Sequence, residues 1–241
     1  PPSAELQKGF PALLQQGKGM VFTHHSLASW PHSWPEYIEV MGGACDWGNS
    51  ITTRGVQHPN SGFFPMTPQR ITVVNKTHPI TQGLGDSFDI IDESYSCPYY
   101  EDSVIPLLRT DFKPADHNRN LSPNWKYSNL AAWAKSAENS PVAYIQMGHG
   151  PAAWANESYR KLVLNAIKWA ASKEAKTWAA ANAKTGTPAA WRPGWPACWL
   201  TLVGWPRCAR PTCSTPLPRT PLIGWPGWPP ACWRSPSRWC R

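Results

Sequence analysis

The feature that most constrains this chain is a break in its composition near residue 184. Residues 185–241 contain no Asp, Glu, Lys, His, Asn, Gln, Phe, Tyr or Met. They hold 12 of the 27 Pro, 8 of the 16 Trp, 7 Arg and 5 of the 7 Cys. Prolines at this density remove backbone donors and forbid helix or central strand. No apolar period of 2 or 3.6 survives in runs such as Gly224-Trp225-Pro226-Gly227-Trp228-Pro229. Of 241 residues, only 1–184 can build a core, which is still enough for one domain. The formal charge of +8 misleads in the same way, because the tail arginines carry seven of those charges and leave residues 1–184 at +1.

Two readings of the tail compete. Trp and Arg could stack on and neutralise single-stranded nucleic acid, or Cys198, Cys208, Cys213, Cys232 and Cys240 could hold zinc. The cysteines show no Cys-x-x-Cys pair and the tail has no His, which weakens zinc. The alternative is a GC-rich gene read out of frame. That reading is preferred, since nothing in the segment offsets the entropy of ordering it. The expectation is therefore a folded domain over 1–184, a disordered or out-of-frame tail over 185–241, and no nucleic-acid partner. No run of 18 apolar residues exists, so no membrane partner is expected either. The start, Pro1-Pro2-Ser3-Ala4-Glu5, carries neither a signal peptide nor an initiator Met. Within 1–184 only Cys45 and Cys97 occur, which gives no indication of an oxidising compartment.

Along the domain, residues 4–16 read as a helix with Leu6, Phe10, Leu13 and Leu14 on one side. Pro11 argues for a kink or a later start. Gly19–Thr23 suits a buried parallel strand. Trp34–Met41 reads as a short helix closed by Gly42-Gly43, and residues 44–68 as a long surface loop. Strands are expected at Arg70–Val74, Phe88–Tyr95, Val104–Thr110, Leu130–Ala134 and Val142–Gln146. Pro106 implies an edge or a bulge. A helix runs from Asn156, a good N-cap, to about Ala183, with a break near Ser172. This alternation predicts an α/β fold.

In open α/β sheets ligands bind beyond the carboxyl ends of strands. Two strands here run into His24-His25 and Gly148-His149-Gly150, and a third into Asp92-Glu93. Each has a plainer reading. A single His at a strand end is more often a hydrogen-bonded structural residue than a catalyst. Neighbours on a strand point to opposite faces, so only one of His24 and His25, and one of Asp92 and Glu93, is expected to face a crevice. His78 before Pro79 reads as a turn residue. Trp30, Trp34 and Trp47 could stack on a sugar or merely close the long loop. Cys45 lies in a loop and makes a poor nucleophile.

The order of these motifs resembles the ThuA-like family, named for trehalose utilisation in bacteria. The residues that carry the likeness are Gly17–His25, Ser29-Trp30-Pro31, Trp34–Tyr37, Gly42-Gly43, His78–Leu84, Asp92–Tyr95, Ser140–Val142, Gly148–Gly150, Tyr159–Leu162 and Asn165–Trp169. It covers residues 3 to about 183. The resemblance implies a flavodoxin-like three-layer sandwich with a mostly parallel sheet, similar to class I glutamine amidotransferases. It also implies that roughly two strand–helix units precede residue 4. Amidotransferases carry a nucleophilic Cys where His24-His25 stand, so thiolate glutamine hydrolysis is not expected.

The family implies a role in bacterial disaccharide or keto-sugar catabolism, as a hydrolase or isomerase, with cytoplasm and periplasm both open. On that basis the expected catalytic residues are His24, His25, Glu93 and His149. Trp30, Trp34 and Tyr95 are expected to bind a small-molecule carbohydrate. Imidazoles with a carboxylate also suit a divalent metal, with no particular metal assigned. The alternative is a non-catalytic sugar-binding or scaffold module on the same fold.

Overall fold

A computed structural model of the chain describes residues 1–113 and 128–185. The readings made for the tail beyond residue 185 lie outside the described residues. Helix α1 (Ala4–Gln15) is capped by Ser3, whose hydroxyl accepts from the Leu6 amide at 3.2 Å. It starts at Ala4 and runs through Pro11 without a break. Pro11 lies on its exposed side and forfeits only one backbone bond there. Strand β1 (Met20–Thr23) follows. Helix α2 (Pro35–Met41) starts with Pro at its first position and ends at Gly42, whose φ of +83° needs glycine.

The sheet has six strands in the order β1-β8-β7-β6-β4-β5: β4 (Gly62–Val73), β5 (Ser87–Ser96), β6 (Ile105–Thr110), β7 (Leu130–Ala137) and β8 (Ser140–Ile145) join β1. Only β1 and β8 run parallel, and every other neighbouring pair is antiparallel. The α/β class stands, but the flavodoxin-like, mostly parallel sheet is corrected. A parallel pair needs a long crossover, whereas β7 and β8 are joined by Glu138-Asn139 alone, with Glu138 at φ +48°. The continuous apolar runs that suggested parallel strands have another cause. Alternate residues of β7 and β8 enter two different core clusters. Ala132, Ala134, Ala143 and Ile145 join one, and Trp133, Val142 and Tyr144 join the other.

Helices α3 (Pro151–Ala155), α4 (Glu157–Ala171) and α5 (Lys173–Thr185) complete the described chain. Tyr159, Leu162, Ala166 and Trp169 of α4 fill the first cluster. Phe10 and Leu14 of α1, Trp34 at the start of α2 and Tyr37 within it fill the second. Asn156 caps α4 by accepting from the Tyr159 amide at 3.0 Å. Ser172 breaks the long helix as expected, and its hydroxyl accepts from the Ala175 amide at 3.1 Å.

The long loop expected at 44–68 is largely strand. β2 (Ile51–Thr53) and β3 (Val56–His58) form a hairpin around Arg54 and Gly55, both at positive φ as a tight two-residue turn requires. Arg54 grips Glu39 of α2 at 2.6 Å and Asp102 at 3.0 Å, and lies 3.8 Å over the Tyr100 ring. β4 then starts at Gly62, eight residues earlier than expected. Pro106 does sit at a register shift, but β6 is an interior strand, not an edge.

Cys45 and Cys97 form a disulfide across a sequence separation of 52. The reading that they give no sign of an oxidising compartment is thereby corrected. The bond ties the loop after α2 to the end of β5. Closing a loop of that length in the unfolded chain costs entropy worth about 4 kcal/mol. Reduction is expected to lower unfolding stability by about that much in denaturant titrations. Peptide mapping without reductant is expected to recover Cys45 and Cys97 in one linked fragment. Recovery of both as alkylated thiols would contradict the pairing.

His78 has the structural role expected of it. Its Nδ1 accepts from the Ile80 amide at 3.2 Å, and its ring packs on Trp169. Burial pulls its pKa down from 6.5 to about 4. The unfolded chain therefore takes up this proton first, and stability is expected to fall as pH drops from about 6.5 towards 4. His78→Asn keeps a cap acceptor without the titration, so the variant's thermal midpoint should fall less over that window. Parallel curves would refute the assignment.

Candidate active site

The site is assembled by a bend in the β4–β5 pair. Phe64 pairs with Ser94 and Thr67 with Asp92, so Pro65 and Met66 together oppose the single residue Glu93. This is a β-bulge, with Met66 at φ +47°. The carbonyls it frees are taken by side chains. The Gln69 amide donates to the carbonyls of Asp92 and Glu93 at 3.3 and 3.2 Å, and Thr67 donates to that of Phe64. Thr110 in turn donates to Gln69 at 2.9 Å. Before the bulge β5 alternates between buried and exposed. From Asp92 to Ser96 every residue is buried. Although β5 and β1 lie at opposite edges of the sheet, Glu93 reaches the residues that follow β1.

β1 ends at Thr23, and the chain turns sharply into a 3-10 turn, His24–Ala28. His24 takes φ +52°, a left-handed conformation that costs energy for a residue with a side chain. The turn is held by Tyr144, which donates to the His24 carbonyl at 2.8 Å, and by Ser26, which donates to the Thr23 carbonyl at 2.7 Å. The expectation that only one of the two His faces the crevice is overturned. Both leave the strand before alternation applies, and their rings stack with centroids 4.0 Å apart.

His149 arrives from the third direction, after β8. Asp92 is buried, and its carboxylate accepts from the amides of Gly148 at 2.6 Å and His149 at 3.2 Å. Asp92 and Glu93 thus divide the work: one holds the His149 loop and the other faces the imidazoles. Glu93 lies 3.4 Å from His24 Nε2, 3.3 Å from His25 Nε2 and 3.2 Å from His149 Nδ1. His24 Nε2 and His149 Nδ1 are 3.0 Å apart. These four side chains are the group, among the described residues, able to hold a metal ion, with donor atoms all within 4.8 Å of one another.

Proton positions follow from the neighbours. His24 Nδ1 lies 3.3 Å from the Gln146 carbonyl, which can only accept, so Nδ1 carries the proton. The Tyr95 hydroxyl lies 2.6 Å from the same nitrogen and donates to Glu93 Oε2 at 2.9 Å. Burial lowers the His24 pKa, helped by the charge of His25. Burial also raises that of Tyr95, with the hydrogen bond to Glu93 adding to the shift. Burial thus favours the neutral form of both the His24 imidazole and the Tyr95 phenol.

Of the aromatic residues expected at the site, only Tyr95 reaches the cluster. Trp34 is buried among Phe10, Tyr37 and Trp30, and Trp30 packs on Trp34 and Tyr37, so these rings serve the core. The tryptophan at the site is Trp47, 5.2 Å from the His25 ring and 5.6 Å from Tyr95. Its neighbour Asp46 fastens the loop. Although burial opposes ionisation, hydrogen bonds from His32 and from the amides of Gly48 and Asn49 hold the Asp46 carboxyl down at about 2. Gln69 and Gln146 also serve the site, and nothing in their local sequence marks them, because their partners lie on other strands.

Fold and geometry define an α/β protein that gathers three imidazoles, a carboxylate and a phenol at one end of a mixed sheet. The chain belongs to the ThuA family, described as trehalose utilisation, whose model matches residues 2–170. Among solved structures it is similar to a ThuA-like protein from Parabacteroides merdae, at TM-score 0.56 and 17% identity, covering 70% of this chain and 66% of that one. A ThuA-like protein from Bacteroides uniformis aligns at TM-score 0.53 and 23% identity, covering 72% and 66%. The chain thus spans just under two thirds of the length of these relatives, and at such identities the likeness is one of fold. No curated protein matches the chain significantly.

Gly148 tests the loop that delivers His149. It sits at φ +132°, and a Cβ there would lie 2.5 Å from the buried Tyr159 hydroxyl. Gly148→Ala is expected to destabilise the protein by about 1–3 kcal/mol in chemical denaturation. Gly150→Ala, with open space around its Cβ, should stay within about 0.5 kcal/mol of wild type. Equal effects would refute the close-approach account.

Proposed function

We propose that this chain acts in carbohydrate catabolism as an enzyme that moves a proton beside the carbonyl of a keto-sugar, that is, as an isomerase rather than a hydrolase. The observation that carries the reading is Glu93: buried, yet touching three imidazoles and one phenol. Such a set can take a proton from one carbon or oxygen and return it to another. Trp47, against His25 and Tyr95, offers an aromatic face of the kind that packs on a sugar ring.

Ordinary glycoside hydrolysis needs two working carboxyl groups, about 5–9.5 Å apart across the bond. Here the second carboxylate of the strand end, Asp92, is occupied by two backbone amides. That arrangement favours proton transfer over glycoside cleavage. Family membership supports a carbohydrate substrate, and the Cys45–Cys97 disulfide favours an oxidising compartment such as the periplasm over the cytoplasm.

The test is NMR of keto-disaccharides in deuterated water with the purified chain. Deuterium is expected to enter the carbon beside the carbonyl. Glu93→Gln and His149→Ala should each slow the exchange by about 10²-fold or more. Unchanged exchange in both variants would reject the assignment. Saturable sugar binding without exchange or turnover would favour the non-catalytic binding module instead.

A further inference from the structure

We propose that His24 Nε2, His25 Nε2, His149 Nδ1 and a Glu93 carboxylate oxygen form a centre for one divalent transition metal ion of zinc's chemical class. The inference stands on the geometry of the four side chains and does not depend on which sugar is bound. With an ion present those four groups would hold it, and Tyr95, against His24 and Glu93, would be left as the group that moves the proton in the keto-sugar reading.

The spacing is the first argument. Zn–N and Zn–O bonds of about 2.0–2.1 Å in a tetrahedral centre place neighbouring donors roughly 3.3 Å apart. The contacts here are 3.0 Å between His24 and His149, 3.4 and 3.3 Å from Glu93 Oε2 to His24 and His25, and 3.2 Å from Glu93 Oε1 to His149, and with one donor atom from each residue the set lies within 4.8 Å. Proton bookkeeping is the second argument. With its Nδ1 proton directed at the Gln146 carbonyl, His24 turns a bare Nε2 lone pair towards the cluster. His149 Nδ1 has one proton at most, yet faces both that lone pair and Glu93. Without an ion the single His149 Nδ1 proton must be shared between that lone pair and Glu93, whereas a cation at the common point would serve all four.

The third argument is the surrounding support. Ligating imidazoles are characteristically oriented by a carbonyl or carboxylate on the other ring nitrogen, and ligating carboxylates are themselves hydrogen-bonded. His24 has the Gln146 carbonyl and the Tyr95 hydroxyl, Glu93 has Tyr95, and the His149 backbone has Asp92. Three nitrogens and one oxygen suit zinc, cobalt, nickel or iron(II) over magnesium or calcium, which prefer all-oxygen sites. Glu93 and His24 are 5% and 13% exposed, while His25 and His149 are 54% and 44% exposed. The inner pair forms a floor and the outer pair a rim, which leaves an entry path for the ion, and a substrate oxygen would have to add as a fifth ligand. Such an ion, when bound, supplies Lewis acidity towards a sugar carbonyl or hydroxyl oxygen. Tyr95, between Glu93 and His24, keeps a movable proton on the chain itself.

The test uses the full chain, with tail thiols blocked by N-ethylmaleimide so that tail cysteines bind no metal. After stripping with chelator, Zn²⁺, Co²⁺, Mg²⁺ and Ca²⁺ are added separately, excess is removed by desalting, and bound metal is measured by mass spectrometry. The expected result is one equivalent of zinc or cobalt, no retained magnesium or calcium, and a raised thermal midpoint. His149→Ala, His25→Ala and Glu93→Gln, each checked by far-UV circular dichroism, should bind at least about tenfold more weakly. Tyr95→Phe keeps every ligand and should weaken binding about 10–100-fold.

Equal metal content in wild type and folded variants, or none in wild type, overturns the proposal. Should the ligand variants unfold, the wild-type cobalt spectrum decides. Visible bands of nitrogen and oxygen coordination without thiolate charge transfer support the centre, and their absence refutes it. Because no sugar is present, failure here leaves the keto-sugar reading intact. Metal retained without deuterium exchange would strike that reading alone.

Discussion

The arrangement depends on one irregularity, the β-bulge in which Pro65 and Met66 oppose Glu93. A regular β4–β5 ladder would keep β5 at the far edge of a six-stranded sheet, away from β1. With the extra residue, the strand pair bends, and Asp92 to Ser96 become buried on both faces. Its cost is a set of carbonyls stripped of ladder partners. Gln69, Thr67 and Thr110 meet that cost with side-chain hydrogen bonds. A buried Gln whose two amide donations both go to the bulge backbone is hard to explain except as support for Glu93.

Other constraints then lock the converged ends. Asp92 fixes the loop after β8, and the left-handed backbone of His24 turns two imidazoles inward where a strand would have presented one. Cys97, two residues beyond Tyr95, is bonded to Cys45, which lies two residues before Trp47. The disulfide therefore clamps two walls of the same site. Strain at His24 and Met66 is stored where the side chains must meet, a common pattern at functional sites. The donors are held by secondary structure and buried hydrogen bonds.

Much of this was legible in the sequence, and the limits have physical causes. His24, His25, Glu93 and His149 could be named because titratable groups followed apolar runs, a local signal, and Tyr95 through the family resemblance. The α4 helix, its Asn156 cap and the break at Ser172 were equally local. Strand direction was not. Apolar runs such as Leu130–Ala134 look the same in a parallel sheet and in an antiparallel sheet covered on both faces. The disulfide was missed because spacing alone does not pair two cysteines, and the bulge because Phe63-Phe64-Pro65 reads as a loop when its partner strand is unknown. Trp34 and Trp47 show the same limit. Both are tryptophans beside turns, and only the tertiary structure sends one to the core and the other to His25.

The central claim is that three strand ends deliver four donor atoms to one point. The most direct measurement is an X-ray structure of the full chain equilibrated with zinc, with anomalous data collected at the zinc edge. The account predicts one strong anomalous peak about 2.0–2.2 Å from His24 Nε2, His25 Nε2, His149 Nδ1 and a Glu93 oxygen. Glu93 should lie opposite the bulge at Pro65-Met66. A peak held by other residues, or a β5 strand that runs straight and leaves Glu93 remote from His24, would contradict it.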